Sequence, residues 1–309
     1  MRVLFMGTPP IAAHVLEAIL DAGHEVPAAV TKPDKPRDRG KKSTPSEVKT
    51  LALSRGIRVE TPETLKNGAL TTLLEETRPD VIVVVAYGKI LPESVLEFPP
   101  LGSINVHASL LPRYRGSAPI QRAIMGCEKE TGVTIMRMDK GIDTGDTLIS
   151  AKVAISPEDT TETLTGRLAA IGAPLLLSAL TLLEKGEAKF RKQNDAFATY
   201  APMIRKEESA VDWTLSAEEI SARIRGLDPW PTAEAELDGV KIKLFRPRLA
   251  GYQEGTLPGT VVTAGKKGLV VACGGGSLLE IGELQPAGKK RMSAAAYFNG
   301  KPLKENTIR

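Results

Sequence analysis

The sequence predicts an α/β fold, in which a mostly parallel sheet wound by helices precedes a small antiparallel barrel. Three observations carry this prediction. Strand-like and helix-like segments alternate up to Gly116, the run Val81–Val85 is continuously apolar, and short strand-like runs separated by Gly and Pro follow Val211. A continuous apolar, β-branched run is typical of a strand buried on both faces. The length of 309 residues favours two domains, although one large α/β domain stays open.

The first half follows a βαβαβ order. Its strands are predicted at Arg2–Met6, Glu25–Val30, Ile57–Glu60, Val81–Val85 and Ser103–His107. Its helices are predicted at Ile11–Leu20, Ser46–Arg55 and Leu70–Thr77. Ser46 or Thr44 is expected to cap the second helix. This order implies a parallel sheet with right-handed crossovers, which is a Rossmann-like domain.

The pattern changes after Gly116. The next elements are predicted as a helix at Ala118–Met125, two antiparallel strands at Thr131–Met138 and Asp146–Ile155, and a long apolar helix at Leu164–Leu183. Gly172 and Pro174 are expected to break or kink that last helix.

The C-terminal part begins with a short helix at Ala217–Ile224. The strands after it are predicted at Ala233–Leu237, Lys241–Arg246, Gly259–Val262, Leu269–Ala272 and Leu278–Ile281. Closely spaced short strands favour an OB-like barrel. The predicted division is therefore a first domain at 1–189, a polar linker at 190–206 and the barrel domain at 207–309.

Composition excludes several classes of protein. Two cysteines, Cys127 and Cys273, cannot form a disulfide framework or a multi-cysteine zinc site. Three scattered histidines show no metal-binding spacing, so no metal is expected. The run Val81–Ala86 is too short to cross a bilayer, and the N-terminus lacks a signal-peptide pattern. We therefore expect a cytoplasmic protein that is not in a membrane.

Charge is concentrated in one segment. Residues 32–49 contain seven basic and three acidic residues, and this local net charge of +4 equals that of the whole chain. A local basic loop indicates nucleic acid better than a high overall pI does. We predict a loop that is mobile when free, although a solvated charged loop is the alternative.

Asn105 and His107 are the first catalytic candidates. They end a predicted strand two residues apart, so they share one face, and ligands of open α/β sheets bind beyond the carboxyl ends of strands. An amide can donate to an oxyanion, and an imidazole can move protons. The alternative is a turn asparagine beside a histidine that binds a backbone carbonyl.

Asp143 and Asp146 lie in a glycine-rich connection, where such residues are common in turns. The functional alternative is that one carboxylate orients His107. The turn that begins at Gly7 lacks the G-x-G-x-x-G pattern, so a nicotinamide or flavin enzyme is disfavoured. Trp213 and Trp230 are interpreted as packing residues, with stacking on a base as the alternative.

Residues 105–116 read N-V-H-A-S-L-L-P-R-Y-R-G. This resembles the signature N-x-H-x-S-L-L-P-x-x-x-G of formyltransferases that use 10-formyltetrahydrofolate, and residues 131–146 resemble the aspartate loop of that family. Segments 3–10, 32–42 and 285–293 are similar to the branch whose acceptor is initiator methionyl-tRNA. Asp38 departs from the small residue expected in the basic loop.

The resemblance implies an enzyme of translation initiation that formylates initiator methionyl-tRNA. It implies Asn105, His107 and Asp143 as catalytic residues. It implies Ser109, Leu110, Leu111 and Pro112 as folate contacts. It implies tRNA contacts at Arg37, Arg39, Lys41 and Lys42.

Some alternatives stay open at the level of sequence. Lys289, Lys290 and Arg291 form a second basic cluster, in the predicted barrel. The rival enzymes are glycinamide ribonucleotide and sugar-nucleotide formyltransferases, which share the motif. A non-catalytic tRNA-binding protein is the rival from another class. A monomer is the default expectation.

Overall fold

The computed structural model describes residues 1–37, 42–66, 68–266, 268–299 and 303–309. These residues form two compact units. The first contains Met1–Pro119, Thr131–Ala154 and Thr165–Pro202, and the second contains Ile120–Glu130, Ile155–Leu164 and Met203–Arg309.

The elements up to the end of the long helix come first. The strands are β1 Val3–Gly7, β2 Ala28–Val30, β3 Lys35–Arg37, β4 Lys42–Thr44, β5 Arg58–Glu60, β6 Val81–Val85, β7 Ser103–His107, β8 Glu130–Arg137 and β9 Thr147–Ala154. The helices are α1 Pro10–Asp21, α2 Glu47–Ser54, α3 Thr71–Thr77, α4 Glu93–Leu96, α5 Pro119–Met125 and α6 Thr161–Glu184.

The sheet of the first unit has the strand order β5-β2-β1-β6-β7-β8-β9. The first five strands in this order, β5, β2, β1, β6 and β7, pair in parallel. Strand β8 then pairs antiparallel with β7. The predicted Rossmann-like sheet is therefore confirmed. The predicted strand Val81–Val85 is fully buried, as its apolar run requires. Its register places Val84 beside Asn105 of β7.

The basic segment forms a hairpin instead of a plain loop. Strands β3 and β4 pair antiparallel, with Arg37 opposite Lys42. Ser46 then caps α2, because its hydroxyl accepts from the Lys49 backbone N–H at 3.1 Å. Of the two predicted caps, Ser46 is the one that the structure uses.

Helix α6 runs without interruption through Gly172 and Pro174, so of the predicted break or kink the break is wrong and the kink stays a prediction. One stripe of the helix is buried at Leu164, Leu168 and Leu176, and this packing stabilises the helix despite the proline. By length and composition α6 is the one described helix that could cross a membrane. Its buried stripe is that of a core helix.

The second unit contains an antiparallel sheet. Its strands are β10 Ala233–Leu237, β11 Val240–Tyr252, β12 Val261–Gly265, β13 Gly268–Ala272, β14 Ser277–Pro286 and β15 Met292–Ser293, and its helices include α7 Ala217–Gly226 and α8 Ala294–Tyr297. The strand order is β10-β11-β14-β13-β12, with β15 on β14. Among the described residues, β10 and β12 do not pair with each other directly, and the C-terminal segment bridges to both ends, at Leu237–Ile308 and Thr260–Thr307. The antiparallel sheet is OB-like.

The predicted linker divides between the two units. Its residues up to Pro202 belong to the first unit, and those from Met203 belong to the second. Arg191 bridges to Thr147, and Tyr200 bridges to Arg115. The segment up to Pro202 is thus held against the first unit. The domain limits 1–189 and 207–309 stay predictions.

Candidate active site

Strand β7 presents two of the predicted side chains at its carboxyl end. Asn105 is half-buried and His107 is 5% exposed. They are two residues apart in one strand, so their side chains leave the sheet on the same face. Neighbouring β8 pairs with both, at Met136 and Thr134. The pair is therefore positioned by the middle of the sheet.

Asp143 comes from the loop between β8 and β9. Its φ of +53° is in the left-handed region, which non-glycine residues rarely adopt. The loop is stabilised by Asp139, whose Oδ1 accepts from the Gly141 N–H at 2.9 Å and the Thr144 hydroxyl at 2.7 Å. A side chain at Gly145 would collide with a backbone oxygen of β8, so only glycine fits there.

The three predicted catalytic side chains converge. His107 Nδ1 lies 3.6 Å from Asp143 Oδ2, and the Asn105 amide nitrogen lies 3.5 Å from Asp143 Oδ1. His107 Nε2 lies 3.0 Å from the carbonyl oxygen of Tyr114. Both ring nitrogens therefore face oxygen acceptors. Nε2 is within hydrogen-bond distance of its oxygen, whereas Nδ1 lies slightly beyond that distance from the Asp143 carboxylate.

Residues 109–114 form the loop that carries the Tyr114 carbonyl. Ser109 is fully buried, and its hydroxyl donates to the Arg113 carbonyl at 2.7 Å. The Thr134 hydroxyl donates to the Ser109 carbonyl at 2.7 Å and accepts from the Leu111 N–H at 3.2 Å. These hydrogen bonds fix the loop to itself and to Thr134 of strand β8.

Three side chains of this loop are half-buried: Leu110, Leu111 and Pro112. They therefore retain surface that a ligand can contact. Ser109 retains none, because its side chain is fully buried and hydrogen-bonded within the loop.

Gly116 connects this loop to Asp143. Its backbone N–H donates to Asp143 Oδ2 at 2.7 Å. Its φ is +117°, and a Cβ atom there would stand 2.7 Å from the Ala201 carbonyl oxygen. Both observations require glycine. The carboxylate oxygen nearest His107 is thus held by a backbone donor.

Gln193 holds the loop between β8 and β9, which carries Asp143. Its amide nitrogen donates to the carbonyl oxygens of Asp143 at 2.9 Å and Gly145 at 2.7 Å. Its amide oxygen accepts from the buried Arg115 guanidinium at 2.9 Å, and that guanidinium also pairs with Asp195 at 2.7 Å. The backbone of the Asp143 loop is therefore clamped by a buried polar network.

The remaining predicted residues lie elsewhere or are not described. Asp146 contributes its backbone carbonyl, which accepts a hydrogen bond from the backbone N–H of Arg137 at 2.8 Å. Arg39 and Lys41, and also Asp38, lie outside the described residues. The described part of the basic segment shows Arg37 and Lys42 only as paired positions of the hairpin.

Sequence reasoning missed the supporting residues. Gly116 closes the quoted motif, so a signal for it existed, and Tyr114 lies inside that motif. Thr134 is one of two threonines in β8. Gln193 lies in a stretch that composition marks only as polar. No local pattern separates either residue from its neighbours.

Comparison with known proteins places the chain in one family. The family model for formyl transferases matches residues 1–180, and the model for the formyl transferase C-terminal domain matches residues 203–302. A methionyl-tRNA formyltransferase of Desulforamulus reducens is 46% identical over 309 residues, which is 100% of this chain and 97% of the relative.

Two solved structures share the fold. HypX from Aquifex aeolicus in complex with tetrahydrofolic acid aligns with a TM-score of 0.67 at 17% identity, covering 99% of this chain and 48% of that one. This chain thus spans about half the length of HypX. A methionyl-tRNA formyltransferase from Clostridium thermocellum aligns with a TM-score of 0.57 at 18% identity, covering 83% of this chain and 95% of that one.

Proposed function

This chain belongs to the formyl transferase family, and on that premise we propose that it transfers a formyl group from 10-formyltetrahydrofolate to the α-amino group of methionine on initiator methionyl-tRNA, for translation initiation. The acceptor follows from the relatives that share 46% identity along the whole chain. The observation that carries the chemistry is that Asn105 and His107 each lie within 3.6 Å of the Asp143 carboxylate.

The proposed mechanism needs an oxyanion donor and a proton acceptor. The amine adds to the formyl carbon, and the carbonyl oxygen becomes an oxyanion as the new C–N bond forms. Asn105 donates its amide N–H to that oxygen, together with protonated His107. Asp143 orients the imidazole and accepts or relays the proton that the amine loses. The folate nitrogen leaves with a proton when its bond to the formyl carbon breaks.

A folate serves as formyl donor, and its contacts are proposed on the loop after β7. Leu110, Leu111 and Pro112 are half-buried and retain surface for the ligand. Ser109 would act through the loop shape, since its side chain is fully buried and bound to Arg113. The folate is a substrate, and no step of this mechanism uses a metal.

The basic hairpin is proposed as a tRNA contact. Arg37, Arg39, Lys41 and Lys42 would pair with phosphates near the acceptor end. Each neutralised phosphate steepens the salt dependence of binding by roughly 0.7–0.9 in log–log slope. The double variant R39A/K41A should flatten that slope. A slope equal to that of the wild type would place the contacts elsewhere.

The decisive experiment is a formyl-transfer assay with three acceptors: initiator methionyl-tRNA, elongator methionyl-tRNA and deacylated initiator tRNA. The proposal expects N-formylmethionine on the first and little or none on the others. A pure tRNA binder consumes no folate donor with any of them. Transfer to glycinamide ribonucleotide or to an amino sugar nucleotide, with none to tRNA, would identify a rival enzyme.

We also propose that the protein acts as a monomer in the cytoplasm, where translation initiates. Light scattering coupled to size-exclusion chromatography tests the first point, with about 33 kDa expected from the chain mass of 33.1 kDa. A mass near twice that value would contradict it. Cell fractionation tests the second.

A further inference from the structure

Trp230 does not pack in the core, so its interpretation from sequence is wrong. Its side chain is 59% exposed, whereas Trp213 is 6% exposed as predicted. Trp230 lies between Pro229 and Pro231, in a loop closed at its base by the Thr232 N–H to Leu227 carbonyl bond of 2.9 Å. A large aromatic ring is thus held in solvent on a short, closed loop.

A basic turn is attached to that loop. Arg291 Nη1 lies 3.9 Å from Asp228 Oδ2, and the Arg291 guanidinium lies 3.9 Å above the Phe245 ring. Arg291 also pairs with Glu283. Its charge is therefore compensated, and its role is to join the Trp230 loop to the turn at residues 286–290.

Two lysines of the turn keep their charges uncompensated. Lys289 and Lys290 are exposed, and within the described ranges no carboxylate pairs with either. The turn itself is fixed, because the Lys289 N–H donates to the Pro286 carbonyl at 3.0 Å and the Gln285 amide donates to the Lys289 carbonyl at 2.9 Å. The lysine positions are thus set by backbone geometry.

We infer that Trp230, Lys289 and Lys290 form a tRNA contact, in which the indole stacks on an unpaired base and the ammonium groups pair with adjacent phosphates. We call these three residues the tryptophan–lysine surface. A stacking ring beside basic residues is how proteins hold single-stranded nucleic acid without base-specific hydrogen bonds. The inference rests on the proposed function, which supplies a tRNA as partner.

Intrinsic fluorescence tests the contact directly. The chain has two tryptophans, and Trp213 is buried, so a base stacked on Trp230 should quench the exposed part of the emission. Titration with deacylated initiator tRNA is expected to quench wild-type emission and to leave W230L emission unchanged. Equal quenching in both proteins would overturn the stacking contact.

Affinity provides the second readout. Loss of one base–aromatic stack should weaken tRNA binding by about 5–100-fold in W230L. In K289A/K290A the salt slope should fall by roughly 0.7 per lost phosphate contact. In formyl transfer the loss should appear in the KM for tRNA. Unchanged affinity in W230L and unchanged slope in K289A/K290A would refute the surface.

Tyr252 offers a matched control. It is 66% exposed and lies at the C-terminal end of β11. The basic turn lies near the other end of that strand, because the turn follows Pro286, which pairs with Ile242. Y252L should bind tRNA like the wild type. If the wild type forms no N-formylmethionine, the proposed function fails. If it does and the variants bind normally, only the tryptophan–lysine surface fails.

Discussion

Replacing Asp143 by Asn tests the carboxylate as a charge rather than as a shape. The side chain is nearly isosteric, and its remaining oxygen can still accept from Gly116. At the observed 3.6 Å separation from His107, Coulomb's law with an effective dielectric constant of about 20 gives roughly 4–5 kcal/mol between an imidazolium and a carboxylate. At 1.36 kcal/mol per tenfold change, that is an upper limit of roughly 10³–10⁴-fold.

We therefore expect D143N to lower kcat for formyl transfer by about 10²–10³-fold, with a free energy of unfolding within about 1 kcal/mol of wild type. The assay is steady-state formyl transfer with saturating folate donor and charged initiator tRNA. D146N is the matched control, because Asp146 lies in the same loop and contributes only its backbone carbonyl to the hydrogen bonds described for that loop. A kcat for D143N within about threefold of wild type would refute the electrostatic role.

Three further predictions concern stability and pH. G116A should lose at least about 1 kcal/mol of unfolding free energy and most activity, since its backbone conformation disfavours L-residues; urea unfolding and kcat measure both, and a wild-type kcat contradicts it. S46A removes the N-cap of α2 and should lower the free energy of unfolding by about 1–2 kcal/mol; an unchanged Tm would contradict this. The Arg122 hydrogen bond lowers the pKa of Glu208. Because the folded pKa is the lower one, this stabilisation exists above the unfolded pKa and is lost as pH falls through the folded one. The loss of unfolding free energy in E208Q, measured by urea unfolding, should therefore be larger at pH 7 than at pH 3. Equal losses at the two pH values would contradict this prediction.

Strands buried in the sheet could be predicted closely from the sequence. Val81–Val85 and Ser103–His107 appear with the predicted bounds, because a short apolar run between turns leaves few alternatives. Strand β11 was harder. The prediction ended at Arg246 because Pro247 follows, yet β11 continues to Tyr252. Pro247 pairs in register with Ile281 of β14, and the pairing with β10 ends at Leu244, so the proline lies where β11 has a partner strand on one side only.

The candidate site shows the same division. The spacing of Asn105 and His107 places them on one strand face, and that information is local. The contact of Asp143 with the Gly116 N–H, and the clamp by Gln193, join segments 27 and 50 residues apart. Such contacts depend on how loops close on one another. Local pattern also gave the wrong interpretation of Trp230, because an exposed aromatic residue and a buried one look alike in sequence.

The kcat of N105A with charged initiator tRNA is the sharpest test of the proposed chemistry, because Asn105 contributes the proposed oxyanion donor and its loss leaves the rest of β7 in place. We expect kcat to fall by about 10²–10³-fold, equivalent to roughly 3–4 kcal/mol of lost transition-state stabilisation, with Tm close to that of wild type. A kcat within about twofold of wild type would contradict it.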